Sequence, residues 1–289
     1  MKAATTVASA QLVSAEMRAE LLSPWPRIGL RQIAIILAIA GAYAWGLAGT
    51  HASPAELARG IPNIIDFVRR LNPPQWKTEP LVLSEFLVIP IPEIAWAILE
   101  TVQMALIGTT AAIFIALPFA LLAARNTSPH PMVYQITRLV LNAKRAVPDI
   151  IFALIFVAAV GLGPFSGVLA LAVGSFGTMA KLYAEAIEAI DPKQVLAVTA
   201  TGADRAQTFI FGVVPQALPL MASYTLLYFE QNVRSATILG IVGAGGVGFV
   251  LSKYMALFQY QRLMGALILI VVVVTIIDRS SDALRKRII

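Results

Sequence analysis

Cysteine is absent from the 289 residues, and histidine occurs twice, at His51 and His130. Disulfides, thiolate catalysis and cysteine-held metal are therefore excluded, and the two imidazoles lie far apart in the chain. Charge is also scarce. Only 13% of residues are Asp, Glu, Lys or Arg, whereas 58% are hydrophobic and the mean hydropathy is +0.78. Soluble domains carry about 25% charge. A chain this apolar cannot cover a water-exposed surface with polar groups, so lipid must solvate much of it. The net charge of +6 matches the bias of basic membrane-protein loops, and nucleic acid is not needed to explain it. Residues 1–27 carry Lys2, Glu16, Arg18, Glu20 and Arg27, and no apolar stretch of signal-peptide type precedes the small-residue run Val7–Ala10.

Gaps between charges locate the membrane spans, since about 20 apolar residues cross the hydrocarbon core. Gln32 to Ala48 is the first. Ser53 to Glu79 is broken by prolines and holds seven charges, so it reads as an extramembrane loop with an amphipathic helix over Ile61 to Leu71. The second span runs from about Ile94 to Ala124. Ile150 to Ala180 is uncharged but too long for one span, and Gly161-Leu162-Gly163-Pro164 divides it. The third span is accordingly Leu139 to Val160 and the fourth Val168 to Ile187. Val213 to Phe229 is the fifth, and Leu263 to Ile277 the sixth. The expected fold is all-α and integral to the membrane: a tail (1–27), a first helix (28–48), an outer loop (49–92), a five-helix core (93–279) and a basic tail (280–289). With both termini in the cytoplasm, only Arg59, Arg69, Arg70, Lys77, Arg234, Lys253 and Arg262 of the 22 basic residues fall outside, as the positive-inside rule asks.

Gly243-Ala244-Gly245-Gly246-Val247-Gly248 fits the G-x-G-x-x-G string of dinucleotide sites. Such a site needs a strand before it and an acid about 20 residues on, but a membrane span precedes this one and position 268 is Ile268. Two readings stay open for Gly243, Gly245 and Gly246: close helix packing, or a turn lining a passage. No phosphate loop of the G-x-x-x-x-G-K-[ST] type occurs, so the chain has no P-loop route to ATP hydrolysis. No hydrolytic triad or H-E-x-x-H string is present either.

Charges inside spans are costly and face protein or water. Arg145 and Asp149 stand four residues apart in the third span, beside Lys144, with Pro148 between them. Glu230 and Arg234 repeat the spacing at the end of the fifth, with Asn232 between them. Such pairs either neutralise one another or line a path for a polar solute, and arginines would favour an anion.

Asp191 to Pro215 is the informative segment. Asp191 caps a helix with Pro192 in its first turn, Gly202 interrupts it, and Ala203-Asp204-Arg205 opens a second helix. The expectation is a helix–glycine–helix knob on the basic, cytoplasmic side.

This segment resembles the EAA loop of binding-protein-dependent ABC importer permeases. Gly202 takes the pattern's glycine, Ala197 its central alanine and Pro215 its proline. Leu196 stands in place of the usual glutamate, Val198 in place of the second alanine, Gly212 in place of the isoleucine and Val214 in place of the leucine. Further strings are similar to phosphonate-type permeases: Glu100–Leu106 with Gly108-Thr109, Leu122–Asn126, Arg145–Asp149, Gly161–Phe165, Tyr183–Asp191 and Phe229–Gly240. The likeness covers about residues 93–278.

The resemblance implies a type I importer permease for phosphonate, phosphate or phosphite in a prokaryotic inner membrane. It further implies a homodimer that docks two ATP-binding subunits and receives solute from an extracytoplasmic binding protein. Lipid surrounds such a chain. It would bind no cofactor itself, ATP and Mg being used by the ATPase. By position, coupling falls on Ala197, Thr199, Gly202, Ala203, Asp204, Arg205, Phe209 and Pro215, with Phe209 as an apolar anchor. The passage would use Arg145, Asp149, Glu230, Asn232, Arg234, Gly243, Gly245 and Gly246. The alternative is an ion-coupled secondary transporter, which would commonly show repeated halves; no such repeat is visible.

Overall fold

The computed structural model describes residues 29–50, 54–75, 80–84 and 87–288. The expected tail over 1–27 and parts of the outer loop (51–53, 76–79 and 85–86) lie outside the described residues. The chain divides into two compact units at Asp66/Phe67.

In the first unit, α1 (Leu30–Thr50) is the expected first span, and none of its residues is buried. Its Ile, Leu, Tyr and Trp side chains are open all round, as a lipid-facing helix requires. α2 (Pro54–Leu71) runs across the division, with Phe67–Leu71 in the second unit, and begins about two turns earlier than the amphipathic pattern suggested. Pro54 is its first residue and Glu56 lies in its first turn, both favourable at a helix start.

Past the end of α2, the second unit opens with a short ribbon ahead of the helices that make up the fold. β1 (Pro80–Ser84) and β2 (Leu87–Pro92) form a two-stranded antiparallel ribbon. Prolines sit at its ends, where no ladder donor is required.

The rest is helical: α3 (Glu93–Ala123), α4 (Pro131–Arg145), α5 (Asp149–Val160), α6 (Pro164–Glu188), α7 (Pro192–Ala200), α8 (Arg205–Thr208), a π turn (Phe209–Val213), α9 (Val214–Ile241), α10 (Gly246–Ala256) and α11 (Tyr260–Ile288). By length and composition five segments could cross a membrane. α5 is apolar but only 12 residues long.

α3 shows why the bundle closes. Ala97, Thr101, Ala105, Gly108, Ala112, Ala116 and Ala120 recur at three- to four-residue spacing and are buried. Small residues let backbones approach where lipid supplies no hydrophobic drive between helices. α6 answers with Gly167, Ala170 and Gly174, all buried. A Cβ on Gly108 would lie 2.8 Å from the Leu171 Cβ. Thr101 and Thr109 return their hydroxyl protons to the carbonyls of Ala97 and Ala105, four residues back, at 2.8 and 2.6 Å.

Two span expectations are corrected. The third span is not one helix: α4 stops at Arg145 and α5 starts at Asp149. Pro148 disfavours helical geometry at Val147 and so separates them. The fifth span does not end at Phe229, because α9 continues to Ile241 with Glu230, Asn232 and Arg234 inside it. Their charges are matched within the protein, as described below.

The bundle has two distinct ends. At the Glu93 end of α3, Ile94 and Ala97 pack with Tyr254, Leu263 and Ala266. At the Ala123 end, Ala120 and Ala124 pack with Tyr183, Ile187, Val213 and Ala217. Asp191 to Pro215 lies at this second end.

Candidate functional site

The segment folds as the sequence predicts. The Asp191 carboxylate accepts the Lys193 N–H at 2.9 Å and caps α7. Gly202 has φ +85°, with open space where a Cβ would stand. Glycine is thus required there by backbone shape and not by crowding. The Asp204 carboxylate then accepts from the Gln207 N–H at 2.7 Å, and the Asp204 N–H donates to Gln207 Oε1 at 3.0 Å, a complete capping box that starts α8. Asp204 was expected to be a polar contact for a partner, but its carboxylate is engaged in this cap. Arg205 is exposed.

The apolar anchor differs from expectation. Phe209 is half-buried and packs with Val195 against the core cluster. Phe211 and Leu196 are the projecting apolar side chains, each 67% exposed. Two residues apart on a helical turn, Phe209 and Phe211 point to opposite sides; the π turn, in which the Val214 N–H reaches back five residues to the Phe209 carbonyl, carries the chain on into α9. Ala197 and Thr199 are exposed on α7, and Ala203 is half-buried. Pro215 stands in the first turn of α9. Clefts of about 510 and 680 Å³ flank the knob, one touching Gly202, Gln207 and Phe211, the other Thr199, Arg205 and Phe209.

The intramembrane charges are arranged as follows. Glu230, with a side chain 11% exposed, accepts from Arg234 at 2.6 Å and from Arg285 at 2.7 Å. Arg234 also holds Asp278 at 3.0 Å. Arg234 was placed outside and Arg279 inside; an Arg234–Asp278 pair does not allow opposite membrane sides for them. Arg234 therefore belongs with the end of α11, and its charge is balanced within the chain. Asn232 is 1% exposed, donates to Thr109 Oγ1 at 2.8 Å and accepts from the Ser175 hydroxyl at 2.6 Å. It ties α3, α6 and α9 together.

The expected Arg145–Asp149 pair does not form. Asp149 faces Lys144 at 4.0 Å and lies against Gly174. Lys144 runs between the Phe152 and Phe176 rings, at 5.6 and 5.7 Å from their centres. Arg145 is exposed.

The glycine turn joins α9 to α10. Gly243, Gly245 and Gly246 have φ of +94°, +81° and +67°. The Gly163 N–H donates to the Gly243 carbonyl at 3.0 Å, and the Val247 N–H to Thr101 Oγ1 at 2.8 Å. A Cβ on Gly245 would meet the Pro164 backbone at 2.8 Å. These glycines pack tightly, and they border a cavity of about 370 Å³ beside Trp96, Glu93 and Glu100. The helix α9 precedes them, so the nucleotide-binding context is missing.

Residues 116–289 match the family model described as "Binding-protein-dependent transport system inner membrane component". The chain belongs to that family. As a permease it is not catalytic alone; it works with an ATPase and a substrate-binding protein. It is 36% identical to the phosphite transport system permease protein PtxC of Stutzerimonas stutzeri over 286 residues, 96% of each chain. It is 43% identical to the phosphate-import permease protein PhnE of Mycolicibacterium smegmatis over 190 residues, 66% of this chain and 36% of that one. Among solved structures, an inward-facing MetNI methionine ABC transporter chain aligns with a TM-score of 0.61 at 23% identity, covering 69% of this chain and 100% of that one. At this identity the likeness is one of fold.

The permease also uses residues that sequence reasoning did not single out. Glu188 accepts from the Arg125 N–H at 2.8 Å and pairs with Arg138 at 2.9 Å. Arg138 in turn donates to the Ala123 carbonyl at 3.1 Å. This clamps the α3–α4 turn to the end of α6, two residues before Ile190 leads into the knob. Gly212 is buried, and a Cβ on it would lie 3.4 Å from the Val195 Cα, so its bare backbone lets α7 lie on the π turn. The available signal was that both Glu188 and Gly212 sit at the edges of the quoted motif.

Proposed function

We propose that this permease forms the membrane passage of an ATP-driven importer for a phosphorus oxyanion: phosphite, phosphonate or phosphate. The observation that carries this is the 36% identity, over 96% of both chains, to a phosphite transport permease. Two copies would pair in a prokaryotic plasma membrane, each docking one ATP-binding subunit through the Asp191 to Pro215 knob, with lipid around α1. ATP and Mg act on the partner ATPase.

The coupling mechanism follows from local geometry. The Gly202 turn and the Asp204–Gln207 box hold α7 and α8 as a rigid knob, from which Leu196 and Phe211 project. The π turn and α9 form one continuous rod from the knob to the glycine turn. A push on the knob when the ATPase pair closes is therefore delivered along α9 to the Gly243–Gly246 turn at the other end. Of the two arginines expected along the passage, Arg145 carries no ion pair among the described residues, whereas Arg234 carries two. Arg145, with Asp149 nearby, is the better placed of the two to meet an anion.

Uptake of labelled phosphonate by cells with and without the gene, with phosphate and phosphite as competitors, tests the substrate class. Gene-dependent uptake suppressed by these competitors supports it. Gene-dependent uptake of some other solute, untouched by all three anions, contradicts it.

A further inference from the structure

At the end of the bundle opposite the knob, the turn between α10 and α11 borders a cleft of about 480 Å³. Its wall carries Arg70 from α2, Arg262 from α11, and the amides of Gln75, Gln259 and Gln261, with no carboxylate lining it among the described residues. Arg70 and Arg262 form no ion pair among the described residues, in contrast with Arg138, Arg234 and Arg285. The Gln75 N–H donates to the Gln261 carbonyl at 3.0 Å and fixes the chain after α2 against the start of α11. Among the described residues the Arg262 guanidinium donates to Gln259 Oε1, at 3.3 Å, and to no other side chain, which orients its fork. Phe258 has φ 57°, a left-handed conformation that a bulky residue adopts only when its surroundings enforce it. The turn it makes places Gln259 to Arg262 opposite Arg70.

We propose that this cleft is a collecting site for tetrahedral phosphorus oxyanions, the first point on the permease that the solute meets. Guanidinium forks match such an ion with paired donors, and the side-chain N–H groups of Gln259 and Gln261 add neutral ones, the Gln75 amide being engaged with Gln261 Oε1. The cleft is open and much larger than the ion, so binding is weak, as passage requires: a site must release what it collects. The neighbouring cavity beside the glycine turn presents Glu93 and Glu100 and cannot serve this purpose. The inference rests on the oxyanion-import reading above.

The same chemistry could be satisfied by a phospholipid headgroup or by an acidic patch on the binding protein, and the test separates the three. The permease–ATPase complex, purified without binding protein in a phosphate-free detergent, is dialysed against labelled phosphite. Saturable binding is expected, weakened about tenfold or more in R70Q/R262Q, largely kept in R70K/R262K and unchanged in R59Q. Basal ATPase activity should stay the same in all of them. Equal phosphite binding by R70Q/R262Q and the parent overturns the proposal. So does binding that bound phospholipid abolishes and phosphite cannot restore, or an R70Q/R262Q defect confined to binding-protein affinity. Uptake by the complete complex, measured alongside, addresses the import reading separately. A complex that binds phosphite at this cleft but imports another solute would sink that reading alone.

Discussion

The Arg234 guanidinium lies 3.0 Å from the Asp278 carboxylate and thereby joins α9 to α11. Glu230 completes the junction from one turn back on α9, holding Arg234 and Arg285 together. The arginine that the sequence offers as an anion ligand is thus a structural tie. Arg234→Ala should lower the thermal midpoint of the purified complex, at a cost of about 1–3 kcal/mol, because Asp278 loses its partner. Arg234→Ala/Asp278→Ala should regain part of that loss. Transport per folded complex should change little. A large loss of oxyanion uptake at unchanged stability would return Arg234 to the passage.

Gly202→Val places a β-branched side chain at φ +85°, a strain of about 1–2 kcal/mol, with no steric contact to add to it. The expected result is a folded complex in which stimulation of ATPase activity and uptake both fall, since the knob changes shape. Gly202→Asn, which tolerates the left-handed region, should be milder. Unchanged uptake and stimulation in a folded Gly202→Val complex would remove the coupling role from this turn.

Phe211→Ala and Leu196→Ala separate docking from folding. Both side chains are largely exposed, so stability should hold while the ATPase dissociates more readily; about tenfold weaker association is expected for Phe211→Ala. Phe209→Ala should do the reverse, destabilising the chain by about 2–3 kcal/mol through lost core packing. Co-purification of the ATPase and a thermal melt distinguish the two outcomes.

Much of this was legible in the chain, for physical reasons that can be named. Charge gaps located α1, α3, α6 and α11, because a charge at the bilayer centre is expensive. The Gly202 turn was legible because Asp191-Pro192 and Asp204 are cap residues whose backbone bonding is local. Three features were hidden because they depend on tertiary partners. α9 runs on through Glu230 and Arg234 only because Arg285 and Asp278 come from another helix. The α4–α5 break lets Lys144, and not Arg145, meet Asp149, so the four-residue spacing misled. Which of Phe209 and Phe211 faces the core is decided by the cluster that Phe209 packs against, and no hydrophobic pattern announces it. The small-residue stripe from Ala97 to Ala120 was readable at its spacing, but its partner could not be named before α6 was seen against it.

That stripe gives a further prediction. Gly108→Leu must push the Leu171 side chain and the α6 backbone away, at a cost of about 1–3 kcal/mol if the helices can adjust. Reduced yield of folded complex and a lower melting midpoint should follow, whereas Gly41→Leu on α1, where nothing lies within 4 Å, should be neutral. Comparable melts for the two would argue against close α3–α6 packing.

Glu188→Gln should loosen the α3–α4 turn, because Arg138 loses its carboxylate in a half-buried setting, at a cost of about 1–2 kcal/mol. Hydrogen exchange at Arg125 to Ser128 is the readout, and faster exchange there with little change at α11 is the expected pattern. Uniform exchange across the chain would dissociate Glu188 from the base of the knob.

The most direct test of the whole account is reconstitution. The permease is placed in vesicles with and without its ATPase and binding protein, and labelled phosphite accumulation is followed with ATP, or with an ion gradient alone. Accumulation that needs the ATPase, the binding protein and ATP together, and that Gly202→Val uncouples, is the predicted result. Accumulation by the chain alone under an ion gradient would contradict it.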